Sequence, residues 1–172
     1  MHCFSAKGAL CFSWGEPGSN PGQFNVPHSL SVAPDGRVLV ADRENSRIQV
    51  FDPDGKYLGE WTDVSRPQDL AIDGQGNVYG TELSKDLLTW SFMQPVPGSP
   101  PSRCSIFDLQ GKLLARWGTE EPCAPGSFFS PHGICVDSRG DLYVAEVIWM
   151  AGGEDGLVPE TCHTLQKFVR RH

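Results

Sequence analysis

One block of sequence recurs along this chain, and a recurring block restricts the fold more than composition does. Val26-Pro27-His28-Ser29-Leu30 returns as Arg66-Pro67-Gln68-Asp69-Leu70 and again as Ser130-Pro131-His132-Gly133-Ile134. Each copy leads through a Gly-containing turn into a second apolar run that ends on an acid: Asp42, Glu82 or Glu146. A third run follows, Arg47–Phe51, Cys104–Phe107 or Leu165–Val169, and Trp14, Trp61 and Trp117 each close a fourth. In the best-kept copy the runs are Leu30–Val32, Val38–Ala41, Ile48–Phe51 and Tyr57–Trp61. They are short and β-branched-rich, so they read as strands. Pro34-Asp35-Gly36, Asp42–Ser46 and Pro53-Asp54-Gly55 supply the turn chemistry between them.

Four antiparallel strands in about forty residues make one propeller blade. The chain therefore reads as a single all-β domain, a partial β-propeller of about three blades from a six-bladed ring. Residues 1–15 are the end of a blade, 24–61 and 66–117 are complete blades, and 129–172 form an incomplete one. Residues 83–103 interrupt the middle blade and 147–164 the last. The first insertion holds Pro95, Pro97, Pro100 and Pro101 and reads as irregular loop, with a helical turn compatible with Glu82–Trp90.

The 172 residues include 19 Gly and 14 Pro, a turn-rich but not disordered composition. A net charge of −7 argues against nucleic acid and against an anionic membrane surface, which both reward a basic face. No apolar run is long enough to span a membrane, and Met1–Gly8 lacks the pattern of a signal peptide. The compartment stays open. Six cysteines without a Cys-x-x-Cys pair suggest neither a disulfide scaffold nor a zinc finger. Cys135, inside an apolar strand, reads as a packed thiol.

Asn45-x-Arg47-Ile48-Gln49-Val50-Phe51 with Pro-Asp-Gly-Lys resembles the NHL repeat, a propeller-forming unit. More narrowly, Pro21-Gly22-Gln23-Phe24-x-Val26-Pro27-His28-Ser29-Leu30 with Ala41–Gln49 resembles peptidyl-α-hydroxyglycine α-amidating lyase, as does Pro131-His132-Gly133. The first strand of a blade lies nearest the axis, and its start shares a face with the end of the second. That puts His28, His132 and Arg43 on one face, with both insertions rising around it as loops able to form a lid. The histidines occupy alternate blades, with Gln68 between them. Alternate blades of a six-bladed ring are about 120° apart, so equivalent histidines can converge on an axial metal with a position left for water or substrate.

The resemblance implies zinc, with His28 and His132 as ligands and Arg43 at the substrate, where a guanidinium suits a carboxylate. A peptide or small-molecule substrate would occupy the central channel. A salt bridge to Asp42 or Glu44 is the competing role for Arg43; Arg47 belongs to the repeat and reads as structural. The resembled enzyme splits peptidyl-α-hydroxyglycine into a peptide amide and glyoxylate, using a third histidine and a tyrosine that have no counterpart here. Tyr57, Tyr79 and Tyr143 fall on repeat strands, and His163 is a weak replacement ligand. Cys123 and Cys162 lie in loops on the same face, where a disulfide is open to them. The expected chain is thus an incomplete lyase, weak or inactive by itself. A non-catalytic NHL module gripping a peptide or protein is the alternative. Open propeller edges also invite self-association, including two copies completing one ring.

Overall fold

The computed structural model describes residues 1–86 and 96–171. Two strands, β1 (His2–Phe4) and β2 (Leu10–Ser13), form a hairpin. Next comes a four-stranded sheet of β3 (Pro27–Val32), β4 (Val38–Asp42), β5 (Arg47–Phe51) and β6 (Tyr57–Trp61). A second is built from β7 (Pro67–Ile72), β8 (Val78–Glu82), β9 (Arg103–Phe107) and β10 (Leu113–Trp117). The last sheet has three strands, β11 (Pro131–Val136), β12 (Leu142–Glu146) and β13 (Leu165–Phe168). Neighbouring strands are antiparallel throughout, in the sequential order that defines a propeller blade. The helical turn considered for Glu82–Trp90 lies, from residue 87 on, outside the described residues; Glu82 itself ends β8. Among the described residues no helix is long and apolar enough to cross a membrane.

Strand alternation explains how the blades stack. Leu39, Ile48 and Val50 of one blade bury against Leu70, Val78 and Phe107 of the next. Tyr79 and Cys104 of that blade meet Ile134, Leu142 and Val144 of the third. Each blade-closing tryptophan lies against the third-strand phenylalanine of the following blade: Trp14 on Phe51 at 6.1 Å, Trp61 on Phe107 at 5.8 Å and Trp117 on Phe168 at 5.5 Å. These rings bury large apolar areas, each worth about 1.5–3 kcal/mol against exposure. The same contact accounts for the glycine of the Gly-Lys turns. Gly55 and Gly111 have φ of +82°, and a Cβ on either would run into Trp14 or Trp61 of the preceding blade.

Cys135 is a correction: it is exposed, and the buried thiol is Cys104. The reason is strand phase. Ser31 occupies the equivalent place in β3, and its hydroxyl donates to Leu70 O of the next blade at 2.6 Å. Position 135 therefore faces the following blade, and no described blade stands beside β11 on that side. Leu30 and Val32 show the opposite phase. They face away from β7 and are 47% and 61% exposed, whereas Leu70, the equivalent of Leu30, is buried and Ile72, the equivalent of Val32, is half-buried.

Candidate functional site

The acid at the end of each second strand anchors one end of its blade. Asp42 accepts from Asn25 N, Asn45, Arg47 Nε and Gln49. Glu82 accepts from Ser65 N and Arg103 Nε and is bonded by the Ser105 hydroxyl. Glu146 accepts from Phe129 N, Ser130 N and Gln166 and pairs with His163 Nε2 at 3.0 Å. In each of these three blades, then, a buried carboxylate ties the loop entering the first strand to the third strand or the residues just before it. A buried charge needs such partners. The arrangement gives Arg47 a structural role: it also bonds Glu60, Ser19 O, Asn20 O and Gln23 O. His163 is taken up in the same way and does not join the other histidines.

The loops fixed by these acids deliver the first strands, and each begins with a register shift. Pro27 pairs with Asp42 but Ser29 with Ala41, leaving His28 as the extra residue. Pro131 pairs with Glu146 but Gly133 with Ala145, leaving His132 as the extra residue. The middle blade has its irregularity between Pro67 and Leu70. An extra residue kinks the strand and re-aims its side chain. Val26, just before the first of these, sits at φ +58°, a conformation disfavoured for a β-branched residue. Its carbonyl accepts from Arg43 N, as Arg66 O does from Leu83 N and Ser130 O from Val147 N.

The outcome is a histidine pair. The rings of His28 and His132 stand 4.8 Å apart between centroids, inclined at 73°. They reach across β7, which lies between their two strands. His28 Nδ1 is 2.8 Å from Gln68 O. A carbonyl only accepts, so Nδ1 carries the proton and Nε2 keeps its lone pair when the ring is neutral. Burial lowers the pKa of His132, the charges of His28 and Arg43 lower it further, and Asp69 opposes them. Arg43, buried in the 3-10 turn Arg43–Asn45, thus acts electrostatically on His132. Its Nε donates to Glu44 at 2.8 Å, and Glu44 also accepts from Arg66 of the next blade at 3.0 Å. The salt bridge considered as the competing role for Arg43 is therefore present, with Glu44 and not Asp42.

Asp69 had no assigned role in the sequence. Its carboxylate accepts from the Ser29 hydroxyl of β3 at 2.6 Å and from Ile134 N of β11 at 3.0 Å, joining the inner strands of three blades below the pair. Only its place one residue after Gln68 signalled it. Among the described residues no three His, Cys, Asp or Glu groups converge to hold a metal ion. Tyr79 and Tyr143 donate to Asp73 and Asp137. Burial first, then that hydrogen bond, pushes the Tyr79 phenol up to about 12. These hydroxyls are structural donors. Cys123 and Cys162 are joined in a disulfide, Cα to Cα 5.2 Å, that closes the last insertion onto residues 118–127.

Stacked four-stranded antiparallel blades define the class, a β-propeller arc carrying NHL repeats. The NHL repeat model matches residues 24–51 and 128–147. The chain is 56% identical over 141 residues to NHL repeat-containing protein 3 of Homo sapiens, a match covering 77% of this chain and 36% of that protein. It is 51% identical over 159 residues to peptidyl-glycine alpha-amidating monooxygenase B of Xenopus laevis, covering 85% of this chain and 17% of that one. The chain thus spans about a third of the first relative and less than a fifth of the second. Among solved structures it superposes on a protein of unknown function from Bacteroides caccae with a TM-score of 0.65, 14% identity, and coverage of 95% of this chain and 53% of that one. Virginiamycin B lyase from Staphylococcus aureus follows at 0.57 and 14%, covering 99% and 48%. These two show the fold alone.

Proposed function

We propose that the face carrying His28, His132 and Arg43 is the metal-holding part of a zinc lyase site for peptidyl-α-hydroxyglycine, and that this chain alone is weak or inactive in that reaction. The observation that carries the reading is the histidine pair, brought together from two alternate blades with the His28 tautomer set by Gln68 O. The residues fit part of such a site. Two imidazoles on one tetrahedral zinc put their ring centroids about 5 Å apart, given Zn–N near 2.1 Å. Here the separation is 4.8 Å. A backbone carbonyl on the far ring nitrogen is the usual support for a metal-binding histidine. Among the described residues no third histidine, cysteine or acid completes a metal-holding group with the pair, and Tyr79 and Tyr143 are taken up by Asp73 and Asp137.

His28 would hold the metal through Nε2 and His132 would be its neutral partner. Bound zinc would supply Lewis-acid polarisation of the substrate oxygens. Arg43 adds a fixed positive charge beside the pair, suited to the carboxylate of the departing glyoxylate unit. The substrate class comes from the resemblance and from the name of the amidating relative.

Competition against a chromophoric chelator tests the metal, and a labelled hydroxyglycine peptide tests the chemistry. Wild type is expected to take up zinc weakly, and His28→Ala or His132→Ala to abolish that uptake. Uptake equal in all three proteins overturns the metal site. Fast zinc-dependent turnover by the wild-type chain overturns the weak-or-inactive half.

A second reading, a non-catalytic module gripping a peptide or protein in the channel, is favoured by one feature. Arg43 is already committed to Glu44 within a buried ion cluster shared with Arg66. If His28→Ala changes neither metal content nor any activity, this reading replaces the first.

A further inference from the structure

The insertion between β12 and β13 presents an apolar patch that the histidine site does not use. Trp149 is 55% exposed, Met150 59% and Leu157 62%. Trp149 and Leu157 flank a pair of glycines. A Cβ on Gly153 would lie 3.4 Å from Trp149 Cε3, and one on Gly152 would lie 3.2 Å from Leu157 Cβ. Leu157 N donates to Gly152 O at 2.8 Å, closing the loop between them.

The patch is held from beneath. Trp149–Gly153 is a π-helical turn. Ile148, Ala151, Val158 and Cys162 bury against Phe129, whose ring leaves no room for a side chain at Gly152. The Cys123–Cys162 disulfide fixes the far end. Aromatic and Met side chains are enriched at interfaces, and a pre-ordered one loses little freedom on docking.

Every Asp, Glu, Lys or Arg position in the insertion and in the segment joined to it by the disulfide is an acid. Glu154, Asp155 and Glu160 of the insertion are exposed, as are Glu120 and Glu121 on the segment joined by the disulfide. Neither 118–130 nor 147–166 contains a lysine or arginine. Such a rim repels nucleic acid and anionic lipid and attracts a cationic partner.

We propose that this platform docks a basic amphipathic peptide segment. Its apolar side chains rest on Trp149, Met150 and Leu157, and its Lys or Arg side chains lie over Glu154, Asp155 and Glu160. The inference does not depend on the histidine pair or on zinc.

Fluorescence anisotropy tests it with two labelled synthetic peptides, one of Lys, Leu and Trp, the other with every Lys replaced by Glu. The Lys peptide is expected to bind, more weakly as salt rises, and the Glu peptide not to bind. Trp149→Ser/Met150→Ser and Glu154→Gln/Asp155→Asn should each weaken binding about tenfold or more, the size expected for an interface anchor. His28→Ala should leave it unchanged. Circular dichroism and intact mass before and after reduction establish that each variant keeps its fold and disulfide. Equal binding of both peptides, or undiminished binding by the folded Trp149→Ser/Met150→Ser variant, overturns the proposal. So does a wild-type chain that binds neither peptide but self-associates through the patch, which would make the occupant a second copy.

Discussion

Burial holds the His132 imidazole below the ordinary histidine range, with the charges of His28 and Arg43 acting in the same direction. The unfolded chain therefore binds a proton more readily than the folded one between the lowered pKa and about 6.5, and stability falls as pH falls through that window. His132→Gln should flatten this dependence, read as urea midpoints between about pH 5 and 7. Asp69 allows a second test. Asp69→Leu strips the acceptor from the Ser29 hydroxyl and from Ile134 N, and each polar group so orphaned costs about 1–3 kcal/mol. The midpoint shift on chemical denaturation should reach that size. At this scale the sequence revealed the histidines through their repeat phase. It hid the extra-residue kinks, because a two-residue alternation carries no mark for an insertion of one.

Among the elements, the carboxylate anchors separate three blades built to one plan. Asp42 and Arg47 are almost wholly buried, so Arg47→Ala leaves an uncompensated charge and should cost about 3–5 kcal/mol in a denaturation midpoint experiment. His163→Gln should cost clearly less, since histidine is a cation only when protonated and glutamine can still donate to Glu146, beside Phe129 N, Ser130 N and Gln166. In this blade Thr164 stands where the others have Arg47 and Arg103, and the histidine one position earlier takes over. The terminal acids and the third-strand arginines were legible in the sequence as a pattern, but the backbone partners Asn25 N, Ser65 N, Phe129 N and Ser130 N were not, because a main-chain donor in a loop carries no residue signature. Cys123 and Cys162 close a ring across 39 positions of sequence. A cross-link of that span stabilises by roughly 2–4 kcal/mol. Reduction should therefore speed amide exchange around 118–130 and 147–164 and leave 24–61 protected. Cys135 was misread because the apolar run around it told which strand it belongs to and not which neighbour that strand has.

For the molecule as a whole, the repeat was enough to read the blade-by-blade stacking, since each tryptophan and each Gly-Lys turn marks one interface. What the arc leaves uncovered could not be read from it. Leu30 and Val32 line one flank and Leu165 and Val169 the other, all open to solvent. Unpaired strand edges and bare apolar flanks promote association. Light scattering of the isolated chain should show concentration-dependent growth at micromolar levels, reduced by Leu30→Ser/Val32→Ser. A monomer at every concentration would mean that these flanks are not adhesive.

Asp69 carries one more consequence. Its counterparts in the flanking blades are Ser29 and Gly133, so the middle unit is the giver of a carboxylate and its neighbours are receivers. The three units are therefore not interchangeable like beads on a string. A rearranged chain that set two receivers side by side would keep its tryptophan contacts and still lose the fastening at its centre. The order of the blades is thus written into the fold by this acidic side chain together with the Glu44–Arg66 pair and the His28–Gln68 bond.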